Sequence, residues 1–356
     1  MRFADPKLRR GPGLHLFLFG PGYGESIALR TQESGWIVVD SLQRREAGRS
    51  VNPALDLVRD DPEPLACLLL THPHADHAHG MADLVAAAMD SGGAVACVER
   101  FQATPPAWDT DPVVAEDPGA PAELGKVEAA TEAIRRAWRS DRAYAWRVIA
   151  GQPEGFGDLA ITPLWPTPEA ANAWDGRAAS ANEVSTPVMV EWGRMRLLLG
   201  ADLPSAQWEL ANAQGHCVPF RDHAGCKVPH HASRGAHHEV WARGARDRAW
   251  AVTGWSGARK LPRLEPGEGA ETLLGDIERL MLTALPFAAD PGSSGWELTL
   301  GEALALRERG RVSAGWGRAD DAPHSGPLDG WLRIRFNEDG SPAEVQYGDR
   351  SGCLIP

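Results

Sequence analysis

The segment Thr71-His72-Pro73-His74-Ala75-Asp76-His77 closes the apolar run Ala66–Leu70 and sets the strongest limit on what this chain can fold into. Three imidazoles and a carboxylate fall within one short loop, directly after a stretch that reads as a buried strand. A loop anchored at a strand end projects all four side chains from one place. Neutral imidazole and carboxylate are the donors that zinc and manganese take at catalytic sites. Histidines at i and i+2, then Asp and His at i+4 and i+5, can face two neighbouring cations, one pair each. The plainer alternative is a histidine-rich surface loop. With 12 histidines in 356 residues a lone one is uninformative, but this order after an apolar run is not.

Three further segments extend the pattern. Leu14–Ser41 reads as strand, glycine-rich turn, strand, turn and strand, and carries Asp40 at its end. Asn182-Glu183-Val184-Ser185 precedes the strand-like stretches Val188–Trp192 and Met195–Leu199, which end in Gly200-Ala201-Asp202. Cys226-Lys227-Val228-Pro229-His230-His231-Ala232-Ser233 follows. The H-x-H-x-D-H loop after a hydrophobic strand resembles the metallo-β-lactamase-fold hydrolases. The set N-x-x-S, L-L-x-G-x-D and K-V-P-H-H-x-S is similar to the soluble domain of the ComEC competence-channel family and its stand-alone relatives. The resemblance runs from about Leu14 to Arg263 and says little about residues 95–150 or the C-terminal part.

That resemblance implies an α/β fold, a four-layer αββα metallo-β-lactamase sandwich with a helical insertion and a C-terminal extension. The hydrolase domain is expected over 14–265, with the insertion at about 100–145, and the extension over 266–356 packed on the same domain. It further implies two divalent metal ions, zinc or manganese. His72 and His74 would hold one, Asp76 and His77 the other, and Asp202 would bridge them. One member of the His230-His231 pair completes the second site. His230 is favoured because it follows the strand end, leaving His231 behind it or on a phosphate. Asp76 and His231 are the expected catalytic residues, and Asp40 is a structural aspartate near the metal loop. Asn182, Ser185, Ser233 and Arg234 are the expected substrate contacts, although Ser233 is equally suited to capping the next helix.

The expected chemistry is metal-dependent hydrolysis by a metal-bridging hydroxide, most readily of a phosphodiester in DNA or a nucleotide. Hydrolysis of a small ester, lactone, thioester or amide is the second enzyme reading. A partner-dependent effector or binding subunit of a larger complex, for instance in bacterial defence, is the third. Two departures bear on this. Superfamily hydrolases keep a third histidine before the bridging aspartate, yet no histidine lies between His79 and His216. The first metal is therefore expected to be held less firmly. Ala232 stands where the relatives have glycine, and His79 is an additional histidine, read as a surface residue at a helix start.

Composition limits the partners. A net charge of −12 argues against a broadly basic nucleic-acid surface, so DNA would need a local rim. Arg234, Arg259-Lys260 and Arg263 are the chosen rim; Arg194 with Arg196 and Arg243-Arg246-Arg248 are further patches, and solvated faces are the alternative for all. No run approaches a membrane span, so no membrane partner is expected. The basic N-terminus lacks an apolar signal core. Five cysteines without framework spacing point to reduced thiols and a cytoplasmic protein, with Cys226 a small buried residue. Helices are expected at His79–Ala88, Glu123–Ser140 and Ala270–Leu285, with a loop over 102–121. Strands are expected at Ala94–Val98, at Tyr144–Ile149 opening a second sheet, and at Leu159–Leu164 and Trp250–Thr253. A hairpin is expected from Trp331–Phe336 and Ala343–Tyr347, turning at Asp339-Gly340.

Overall fold

The computed structural model describes residues 11–20, 24–46, 49–103, 120–216, 223–242, 248–253, 261–262, 273, 280–283, 312–315, 331–347 and 352–354. An antiparallel meander opens the chain: β1 (Leu14–Phe19), β2 (Ser26–Arg30) and β3 (Trp36–Val39). A separate ribbon follows, β4 (Arg44–Glu46) with β5 (Arg49–Val51). The chain then returns in parallel through β6 (Leu65–Leu69), β7 (Ala94–Cys97) and β8 (Tyr144–Arg147). The second sheet starts with β9 (Glu154–Phe156), β10 (Leu159–Pro163), β11 (Val188–Trp192) and β12 (Met195–Leu199), all antiparallel. It turns parallel through β13 (Gly225–Lys227), β14 (Ala249–Val252) and β15 (Leu280–Leu282).

The last described strands complete both sheets. These are β16 (Val312–Gly315), β17 (Trp331–Phe336), β18 (Pro342–Tyr347) and β19 (Gly352–Leu354). β17 pairs with β1 and carries β18 at the edge, so the first sheet reads β18-β17-β1-β2-β3-β6-β7-β8. The second reads β16-β19-β15-β14-β13-β12-β11-β10-β9.

The alternation of side chains along the second sheet makes the layers. Leu197 and Leu199, with Ala249 and Ala251, pack into one core with the strands of the first sheet. Leu198, Trp250 and Val252 point the other way, into a separate core with Trp208 and Trp241 from helices Ser205–Ala213 and Glu239–Ala242. The first sheet is covered outside by helices Met81–Ser91 and Ala120–Trp138, whose Leu84, Val85, Val127 and Ile134 are buried. Helix, sheet, sheet and helix are thus stacked in four layers. Strands buried on both faces read as continuous apolar runs, which is why β1 is buried at all six positions.

Two expectations are corrected. Tyr144–Arg147 pairs with β7 at the edge of the first sheet and does not open the second. Within the expected helix Ala270–Leu285, Leu280–Leu282 is a strand between β14 and β19; most of the remainder lies outside the described residues. The Trp331–Tyr347 hairpin forms, with Gly340 at a left-handed φ of 84° in its turn. The Glu123–Ser140 helix begins earlier, at Ala120, and packs on helix Met81–Ser91.

Candidate metal centre

Every group of interest sits at one end of the two sheets. Asp40 follows β3, His72 to His77 follow β6, Asp202 follows β12, His230 and His231 follow β13, and Thr253 follows β14. These strands run parallel within their sheets, so their C-terminal ends open onto one crevice, the usual place for a site in such an arrangement. Gly24 lets the turn into β2 reach the same place, since a Cβ there would lie 2.4 Å from the Asp76 carbonyl oxygen.

Asp76, His77, Asp202 and His231 offer ligand atoms that all lie within 4.8 Å of one another, and all four residues are buried. His77 Nε2 stands 3.3 Å from Asp202 Oδ2 and 3.8 Å from Asp76 Oδ2. His231 Nε2 stands 3.9 Å from each of the same two oxygens. Two donors at about 2.1 Å from one zinc lie roughly 3 to 3.5 Å apart, so small rotamer adjustments bring this set onto a cation. His77 Nε2 and Asp202 Oδ1 are buried atoms that make no hydrogen bond among the described residues. A cation between the imidazoles and carboxylates would satisfy His77 Nε2, and the residues present fit one.

The outer nitrogens are fixed. His77 Nδ1 donates to Asp40 Oδ2 at 2.7 Å, which turns its Nε2 lone pair inward. His231 Nδ1 lies 3.1 Å from both the Thr253 carbonyl and hydroxyl oxygens and takes the same orientation. Asp40 also accepts from the Thr71 backbone N–H at 2.8 Å and from the Thr71 hydroxyl at 2.7 Å. That hydroxyl is 3.0 Å from His72 Nδ1, leaving His72 Nε2 to face His74 Nδ1 at 3.2 Å. One carboxylate thereby orients both His77 and His72.

Electrostatics separate the imidazoles. Burial, with His77 and His74 close by, holds the His72 imidazole well below its usual range, so it is neutral and able to ligate. Burial also lowers His231, against the pull of Asp202 and Glu25. His77 goes the other way: burial opposes its charge, but Asp202, Asp40 and Asp76 together raise it well above the ordinary imidazole value. Burial likewise opposes ionisation of Asp202, and His77, His230 and His231 overcome it and hold the carboxylate well below its usual range.

The remaining expected residues divide. His230, favoured as the ligand, is outside the four-residue cluster, its Nε2 3.5 Å from Asn182 Nδ2; His231 is the member of the pair inside the cluster. Ser185, expected as a substrate contact, is fully buried, accepts from the Asp202 N–H at 3.2 Å and lies 3.3 Å from His72 Nδ1. Ser233 is half-buried and makes no side-chain cap, and Arg234 is exposed beside it. Asp76, expected as a ligand and catalytic residue, is 8% exposed within a one-turn helix. His79 is half-buried, and burial with Lys126 nearby pushes its imidazole down to about 4. Arg194 and Arg196 flank the start of β12, the strand end opposite Asp202, and Arg196 pairs with Glu191 at 3.0 Å. Arg243, Arg246, Arg259, Lys260 and Arg263 lie outside the described residues.

Two functional candidates carried no role in the sequence reading. Glu25 and Lys227 are both fully buried, and the ammonium contacts Glu25 Oε1 at 2.6 Å. Burial opposes both charges; each restores the other, so Lys227 is raised and Glu25 lowered from the usual values. Glu25, Asp40 and His77 also come close together, but their outward atoms are already engaged by Lys227, Thr253 and Thr71. That group is a brace and not a second cation site.

Backbone strain converges on the same place. Among the described residues, the non-glycine positions with left-handed φ are Asp40, Ala201, His230, His231 and Ala232. Such a conformation costs about 1 kcal/mol or more per residue. All five fall in the loops that hold the cluster, three of them consecutively. Among the described residues, left-handed strain at non-glycine positions is thus confined to the loops around this cluster.

The family description "Metallo-beta-lactamase superfamily" matches residues 19–168. Among solved structures, YhfI from Bacillus subtilis, a metallo-β-lactamase fold protein, aligns at 11% identity with TM-score 0.34, over 61% of this chain and 70% of that one. Zn(2+)-bound PqqB from Methylobacterium extorquens aligns at 14% identity with TM-score 0.33, over 58% and 60%. CmlA, a diiron β-hydroxylase from Streptomyces venezuelae, aligns at 16% identity with TM-score 0.30, over 53% of this chain but 29% of its own length. No curated protein matches the chain. The fold is the metallo-β-lactamase sandwich, whose superfamily consists mostly of metal-dependent hydrolases, and the chain carries a buried cluster that could hold a metal ion. Among the described residues no helix is long and apolar enough to cross a membrane.

Proposed function

We propose that this protein is a dinuclear metal-dependent phosphodiesterase acting on DNA or a nucleotide, related in its site to the ComEC competence-channel proteins. The observation that carries this reading is the buried cluster Asp76, His77, Asp202 and His231, with His72 and His74 converging beside it. Once cations take the imidazole nitrogens and leave those rings neutral, Glu25, Asp40, Asp76 and Asp202 against Lys227 would amount to three buried negative charges. One divalent cation falls short of that charge; two exceed it by one. Buried charge demands compensation, and two cations together with one bound hydroxide would bring this count to zero. A cation pair supplies an activated water and polarises the oxygen of a phosphoryl or carbonyl group.

The chain's own residues supply the rest. Asp40 keeps His72 and His77 in the ligating tautomer, and Ser185 ties the Asp202 loop to the His72 ring. Arg234, exposed three residues after His231, is the residue assigned to meet a substrate phosphate. Zinc and manganese are the expected ions, because the ligands mix imidazole with carboxylate. The test is hydrolysis of bis(p-nitrophenyl) phosphate, linear DNA and p-nitrophenyl acetate with manganese, zinc and magnesium in turn. Metal-dependent cleavage of both phosphodiesters supports the proposal. Cleavage of the acetate alone, under every metal, replaces it with a small-ester hydrolase.

A further inference from the structure

Glu25 and Lys227 stand apart from the ligands yet touch every loop that carries one. The Glu25 backbone N–H donates to the Asp76 carbonyl at 3.0 Å, tying the β1–β2 turn to the metal loop. Its Oε2 accepts from the Thr253 hydroxyl and lies 3.5 Å from His231 Nδ1. Its Oε1 accepts from Lys227 Nζ. The same ammonium reaches the Ala201 carbonyl at 3.4 Å and Asp202 Oδ1 at 3.8 Å. The two oxygens of Asp202 are therefore distinguished: Oδ1 faces Lys227, while Oδ2 faces His77 and His231.

A pair that served the fold alone has a simpler form. Replacing a buried ion pair by apolar groups of similar volume is often neutral or stabilising, so stability by itself gives little reason to keep one here. An ammonium and a carboxylate placed between three ligand loops do what apolar groups cannot. They approach the Asp202 carboxylate and the His231 imidazole by charge, at 3.8 and 3.5 Å, and the Ala201 carbonyl and Thr253 hydroxyl by hydrogen bond.

Resting on the metal-site reading above, we propose that Glu25 and Lys227 are positioning residues for the Asp76, His77, Asp202 and His231 cation site. Lys227 holds Asp202 Oδ1 and so presents Oδ2 to the cation. Glu25, with Thr253, holds His231 Nδ1 and so presents Nε2. Neither residue binds metal.

Three variants test this: Lys227→Met, Glu25→Gln, and the two combined. Each is measured by thermal unfolding in chelator and by cobalt(II) titration followed through the visible spectrum of the bound ion. The single variants each leave a buried group without its partner, so both should melt lower than the parent. The double variant removes both charges together and should recover most of the melting temperature. Its cobalt(II) affinity at the tighter site should still be about 10- to 100-fold below the parent, with an altered spectrum, because loss of such supporting groups costs about that much. Parental affinity and spectrum in the folded double variant would overturn the proposal and leave the pair a device of the fold. A parent that binds no cobalt(II) would instead sink the metal-site reading, and this inference with it.

Discussion

The two halves of the ligand set are held in different ways. His77 and His231 face the carboxylates Asp76 and Asp202, and the outer nitrogen of each ring meets Asp40 or Thr253, which are themselves anchored. His72 and His74 face one another at 3.2 Å, and the hydroxyls of Thr71 and Ser185 approach His72 from behind. His72 is fully buried and His74 half-buried. Four protein donors converge in the first half; in the second, where superfamily hydrolases keep a further histidine, the chain supplies Asn182 and Ser185. The contrast sets a cluster of four donors braced by the protein against a histidine pair that fewer protein donors approach.

The largest effect belongs to the braced half. Asp76→Ala removes one of its two carboxylates and should lower hydrolysis by about a thousandfold or more, as loss of a central catalytic group does. Far-ultraviolet circular dichroism should stay at the parental shape. A folded variant with parental turnover would show that this half is not where the chemistry occurs.

Asp40 serves both halves, through His77 directly and His72 by way of Thr71. Asp40→Asn should therefore weaken both cation sites together, by about 10- to 100-fold in affinity. Isothermal titration that finds only one site weakened would break the link between them.

Ser185→Ala sharpens the contrast. Ser185 meets His72 through its side chain but Asp202 only through the backbone N–H. The His72–His74 site should lose about tenfold in affinity, at the lower end for such supporting groups, and the braced site less. Equal losses in a metal titration would mean that the serine supports both alike.

Much of this asymmetry was legible in the sequence, because His72, His74, Asp76 and His77 lie in one loop and the missing histidine can be noticed by its absence. The order of His230 and His231 was not. Their backbone at φ 48° and 51° turns the second ring, not the first, toward Asp202, and nothing in H-H-A announces a left-handed turn. Glu25 and Lys227 were hidden for another reason. Their partnership spans 202 residues, and Glu25 meets Thr253 across 228, so only the closed fold brings them together. Short apolar runs misled in the same way. Tyr144–Arg147 does not say which sheet it joins, and Leu280–Leu282 is too short to separate strand from helix.

A smaller prediction concerns a buried histidine outside the cluster. His15 in β1 accepts from Arg333 of β17 at 3.2 Å and lies 3.2 Å from the Gly11 carbonyl through Nε2. Burial first, then Arg333, lowers its pKa to about 4 from an ordinary 6.5. The sign follows from linkage: below 6.5 the unfolded chain takes up a proton that the folded protein refuses. The penalty on folding then grows by about 1.4 kcal/mol per unit until it levels off near the folded value. Chemical denaturation between pH 7 and 4 should show stability falling with acid, less steeply in His15→Gln. Identical pH slopes in parent and variant would remove His15 as a cause.

The central claim is that two cations bind, with the Asp76, His77, Asp202 and His231 site filled first and emptied last. Anomalous diffraction from crystals soaked in stepped manganese concentrations measures this directly. The first peak should lie within about 2.0 to 2.3 Å of donors from those four residues, and a second, weaker peak should appear against His72 and His74 at higher concentration. A first peak at His72 and His74, equal filling of both positions at every step, or no peak near either set would contradict the account.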